Sequence, residues 1–94
     1  MTQSATATAP TEHASRYLQQ LCKHWSHKAE TDFTPESGTI TFASGNLLKL
    51  GASAVQLTLD VTVPDAEDLE HFKGVVDAHL LRFAFREDLE IVWG

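Results

Sequence analysis

The chain predicts a two-layer α+β sandwich: an antiparallel sheet of about five strands with two helices on one face, in the order α-β-β-β-β-α-β. Three observations carry this reading. Apolar residues recur at helical spacing over residues 14–25 and again over 69–83. Between these stretches and after the second, apolar and polar residues alternate as in half-buried strands. Short clusters of Gly, Pro, Ser and Asn separate the alternating runs, as turns require. With 94 residues, 43 % of them apolar, the chain has material for one modest core, so residues 12–94 are expected to form a single α+β domain.

Residues 1–11 are Ser, Thr, Ala and Pro with almost no bulky side chains. Burial of so little surface does not offset the entropy of ordering, and a flexible N-terminal tail is expected. Lacking a basic residue and an apolar run, this start does not read as a secretory signal. Thr11, after Pro10, is placed to cap the following helix through its hydroxyl. Ala14, Leu18, Leu21, Cys22 and Trp25 then share one helical face, and the helix is expected to end near Ala29.

The segments "TDFT", "GTITFA", "LLKL" and "AVQLTLDVTV" follow as a meander of short strands, parted by "PESG", "SGN" and "GAS". In the last, Val55, Leu57, Leu59, Val61 and Val63 point one way and Gln56, Thr58, Asp60 and Thr62 the other, which suits a sheet covered on one side. Pro64 stops that strand. A helix of about five turns is predicted next, with Leu69, Phe72, Val76, Leu80 and Phe83 on its stripe. Asp65, Glu67 and Asp68 fall in its first turn and Arg82 and Arg86 near its end, as the helix dipole favours. Leu89, Ile91 and Trp93 alternate in a closing strand.

Thirteen acidic against seven basic side chains give a net charge of −6, so a nucleic-acid partner is not expected. No segment approaches membrane-spanning length, and a cytoplasmic location is the expectation. Cys22, the single cysteine, excludes an internal disulfide. So small a domain gains by burying a sheet edge or apolar patch against a second copy, which makes a homodimer one expectation.

The segment "LCKHWSHK" concentrates a thiol, two imidazoles and two ammonium groups in residues 21–28. On a helix, Cys22 and His24 project roughly 200° apart and cannot share one ion. Cys22 falls on the apolar stripe, where a thiol behaves as a small hydrophobe. His24 and His27 are neighbours, but local spacing supplies no third metal ligand, and Lys23 and Lys28 oppose a dication. In the second helix His79, Arg82 and Arg86 run at i, i+3, i+7, where pairing of the arginines with Glu87 or Asp88 is the plainer account. If the C-terminal halves of the two helices adjoin, Lys23, His24, His27, Lys28, His79, Arg82 and Arg86 share one positive pocket suited to an anion. There is no Gly-rich phosphate loop, nucleophile motif or paired carboxylate, so a binding module is expected rather than an enzyme, with no cofactor.

Two stretches carry a family resemblance. Arg16, Leu18, Leu21, Cys22, Lys23, His24, Trp25, His27 and Lys28, and then His79, Leu80, Arg82, Phe83, Ala84, Phe85, Arg86 and Glu87, resemble the bacterial family known as domain of unknown function 2218. The resemblance spans roughly residues 13–93. It implies a link to siderophore-interacting flavoprotein reductases, and hence to iron handling. The expected ligand is then an anionic small molecule such as a ferric chelate. Two competing readings stand beside it. One is a structural or interaction domain, a homodimer or reductase partner, without a small ligand; the other is a metal or haem protein with His24 or His79 as ligand.

Overall fold

The computed structural model describes residues 2–64, 69–84 and 87–93. Among them are strands β1 (Gln3–Pro10), β2 (Ala29–Phe33), β3 (Ser37–Phe42), β4 (Leu47–Ala52), β5 (Gln56–Val63) and β6 (Val92–Trp93), with helices α1 (Ala14–Trp25) and α2 (Leu69–Phe83). The described strands form one six-stranded sheet in the order β2-β3-β4-β5-β1-β6, with every neighbouring pair antiparallel. The β2 to β5 meander follows from its turn residues; Gly45, at φ 95°, turns the chain from β3 to β4.

The sheet has one apolar face. Ile40, Leu48, Leu50, Leu57, Leu59, Val61 and Val63 are all buried on it. Removing each such side chain from water contributes about 1.5–3 kcal/mol before the entropy of ordering is counted. Helix α1 lies across β2 to β5, while α2 covers β5 and β1 and touches α1, so both helices share that face as predicted.

Several expectations are corrected. Residues 3–10 are not a flexible tail but a strand inside the sheet, paired with β5 from Gln3↔Val63 to Pro10↔Gln56 and with β6 at Ala7 and Thr8. Ala7 and Ala9 are 1 % and 0 % exposed. They bury little area of their own; the neighbouring strands and α2 supply the cover. This strand accounts for the difference between five and six.

Thr11 does not cap α1. His13 occupies the N-cap position without a side-chain cap. The Thr11 hydroxyl instead accepts from the His13 N–H at 3.0 Å and donates to Glu87 Oε2 at 3.0 Å. Helix α1 ends at Trp25, before Ala29, where Ser26 and Lys28 turn back with N–H groups donating to the Lys23 and Trp25 carbonyls. Val55 does not face the core with Leu57: it is 69 % exposed in the turn before β5, where its carbonyl accepts the Thr11 N–H. In α2, Phe72, Val76 and Leu80 are buried as the stripe requires. The acidic residues Asp65, Glu67 and Asp68 lie outside the described residues, as does Arg86. Strand β6 is shorter than expected, yet Leu89 is buried and Ile91 and Trp93 pack against the core.

Candidate functional site

Burial of Leu18, Leu21, Cys22 and Trp25 fixes the rotation of α1 and leaves His24 exposed on the flank that meets α2. In α2 the buried Val76 and Leu80 likewise place half-buried His79 on the flank towards α1. The His24 and His79 rings are 5.1 Å apart, with planes inclined by 49°. Trp25 lies 4.8 Å from His79, and Phe83 lies 5.7 Å from His24. Phe42, at the end of β3, meets Trp25 edge-on at 5.4 Å and Phe72 at 5.3 Å.

His79 Nδ1 is 2.7 Å from the Val75 carbonyl. Since a carbonyl only accepts, Nδ1 carries the proton there and Nε2 is the acceptor of the neutral ring. His24 is held below the ordinary imidazole value of 6.5, first by loss of solvent and then by the charges of His79, Arg82, Lys28 and His27. Every one of these charged neighbours is basic. The junction of the two helix ends thus gathers basic side chains in an acidic protein.

Beside this junction is an open pocket of about 410 Å³ at the end of the sheet. His27, Lys28 and Ser26 from the turn after α1 line it, together with Glu30 of β2 and Thr41 and Phe42 of β3. Phe42 therefore serves both the pocket and the aromatic cluster. Of the seven residues singled out from sequence, His27, Lys28, His79 and Arg82 are brought near His24. Lys23 is exposed, about 100° around the helix from His24. Arg86 lies outside the described residues.

Arg82 does not pair with Glu87 or Asp88; among the described residues the ion pair is Lys73–Glu70 at 3.1 Å. Glu87 is occupied elsewhere, accepting from the Tyr17 hydroxyl at 2.5 Å and from Thr11. This Thr11–Tyr17–Glu87 cluster escaped sequence reasoning, because its members are 70 and 76 positions apart from Glu87 and share no local spacing. Phe42 escaped as well, since an aromatic at a strand end reads as core. Cys22 is fully buried, and loss of solvent pushes its thiol up to about 11. Among the described residues no three His, Cys, Asp or Glu side chains are gathered as metal ligands. No helix among them is long and apolar enough to cross a membrane.

A search of curated proteins gives no match. The chain is similar to the NMR structure of PA4090 from Pseudomonas aeruginosa, at 41 % sequence identity and a TM-score of 0.78, covering 97 % of this chain and 94 % of that one. The family model for an uncharacterised protein conserved in bacteria, DUF2218, matches residues 6–94, so the chain belongs to the DUF2218 family.

Proposed function

We propose that the protein is a small binding module for an anionic ligand, held where the C-terminal ends of α1 and α2 meet. The observation that carries this reading is the 5.1 Å approach of His24 and His79 in surroundings to which Lys28, His27 and Arg82 add further positive charge. Basic groups brought this close raise each other's energy when protonated, and an anion relieves that repulsion. In this arrangement Lys28 and Arg82 supply charge, and His24, His27 and His79 supply directional hydrogen bonds. An anionic ferric chelate belongs to this class of ligand, with a flavoprotein reductase as the partner that would act on it.

The test is an amide-resolved NMR titration with a ferric catecholate chelate, citrate and phosphate. Saturable shifts confined to residues 23–28 and 79–82 are expected for at least one of them. No shift there with any of the three would overturn the reading in favour of a protein-interaction domain. Lys28→Gln should weaken binding about tenfold, the worth of one charge-assisted contact.

A further inference from the structure

We infer that the junction of the two helices takes up a proton together with its anion, and that His79 is the group that receives it. This inference rests on the anion reading above and adds its regulation: the site fills as the pH falls and empties as it rises.

One hydrogen bond sets the chemistry of His79. Its Nδ1 is 2.7 Å from the Val75 carbonyl, one turn back in α2, so Nδ1 keeps its proton whatever the charge of the ring. In the neutral ring Nε2 is then a lone pair, which accepts hydrogen bonds and repels an anion. Only the imidazolium has a second N–H to donate. An anion held by His79 therefore either meets a ring already charged or brings a proton with it.

The neighbours favour the second course. The His24 ring of α1 is 5.1 Å from His79, and two imidazolium ions at that distance repel each other. Arg82 of α2 and His27 and Lys28 of the turn after α1 add to the same side of the balance at His24. Among the described residues neither imidazole is paired with a carboxylate. Asp77 projects about 200° round α2 from His79 and is engaged by Trp93. Glu30 of β2 stands with Thr41 on the exposed face of the sheet, away from the helices. Strands β5 and β1 meet α2 with apolar side chains.

Loss of solvent, and then the charges of His79, Arg82, Lys28 and His27, hold His24 below 6.5, which is the same repulsion felt at the other ring. A bound anion cancels it and lets the pair take a further proton. By linkage, the affinity for an anion of fixed charge then rises as the pH falls, by up to about tenfold per pH unit for one proton.

The experiment follows the imidazole nitrogens of the full chain by NMR while sulfate or oxalate is added, from about pH 6 to about pH 8.5, a range in which neither anion changes charge. At about pH 7.5 the His79 ring is expected as the neutral Nδ1–H tautomer in the free protein and as the imidazolium at saturation. The dissociation constant should rise about tenfold between about pH 6.5 and about pH 8, and calorimetry in two buffers of different ionisation heat should count about one proton taken up at the upper end. His79→Gln should lose most of this pH dependence; His27→Gln, which removes the exposed imidazole of the turn, should bind more weakly but keep it. The ring spectra of the unaltered protein decide the outcome even where a variant fails to fold. An unchanged constant across the range, or a His79 ring still neutral at saturation, would overturn proton uptake and leave the anion reading standing. Dependence kept in His79→Gln and lost in His27→Gln would overturn the assignment to His79. Absence of shifts with both anions at every pH would overturn the two readings together.

Discussion

His24 of α1 and His79 of α2 bring their imidazoles to 5.1 Å, and His79 is the strongest charged influence on His24 after its loss of solvent. The approach couples the packing of the two helix ends to pH. Because His24 is depressed in the folded state, protonation costs more there than in the unfolded chain. Its contribution to stability is therefore present above 6.5 and is lost as the pH falls through 6.5 towards the lower folded value. Urea midpoints measured from about pH 7.5 to about pH 5 should decline, and His24→Gln should flatten that part of the decline. An identical decline in the variant would assign it to other groups.

Tyr17 is the single tyrosine of the chain, so its phenol can be followed by absorbance without overlap. Burial and the hydrogen bond to Glu87 raise it from 10.0 to about 12. The sign is that of a group favouring its protonated form on folding: stability is full below 10.0 and is lost as the pH rises through about 12. A phenolate midpoint near 10 in the folded protein would refute the buried contact. Tyr17→Phe should cost about 1–3 kcal/mol in denaturant unfolding, since Glu87 loses a donor where water reaches it poorly.

How much of this was legible in the sequence differs by element. Leu57 to Val63 alternate large apolar residues with polar ones, and the strand was evident. In β1 the same alternation runs through Ser4, Ala5, Thr6, Ala7, Thr8 and Ala9, but alanine is too small to register as a buried face. The strand is stabilised by what flanks it, and that is tertiary information. For the site, helical spacing identified the basic residues, and the topology supplied the meeting of the two helix ends. Phe42 and Glu30 join the pocket only because β2 begins and β3 ends beside the turn after α1.

Cys22 and Gly38 illustrate how close the α1-to-sheet contact is. A Cβ placed on Gly38 would lie 3.0 Å from Cys22 Sγ and 3.3 Å from Leu18 Cδ2. Gly38→Ala should therefore destabilise by about 1–3 kcal/mol through overpacking. Adding Cys22→Ala opens the space, and the double variant should recover much of that loss, a coupling that a thermodynamic cycle of unfolding measurements reads directly. Simple additivity would mean that the strain lies against Phe33 or Leu18 instead. The thiol itself, raised to about 11 by burial, should react with a disulfide reagent only as fast as the protein opens, and rapidly in denaturant.

Asp77 ties the short β6 to α2, with its two carboxylate oxygens accepting from Trp93 Nε1 at 3.0 and 3.1 Å. Loss of solvent raises this carboxyl above its ordinary 3.8, while the Trp93 N–H and the Lys73 charge pull it down without cancelling the rise. A carboxyl raised on folding contributes stability that is complete below 3.8 and is lost as the pH climbs through the folded value, so at neutral pH its charge opposes folding. Asp77→Asn keeps an oxygen acceptor for Nε1 and removes that charge, and the variant should be at least as stable as the parent at neutral pH. Asp77→Leu removes the acceptor as well, leaves the half-buried indole N–H unpaired and should cost about 1–3 kcal/mol. Hydrogen exchange at Val92 and Trp93 should quicken in the leucine variant and stay unchanged in the asparagine variant. Faster exchange in both would show that the charge, held beside Lys73, is what fastens the strand.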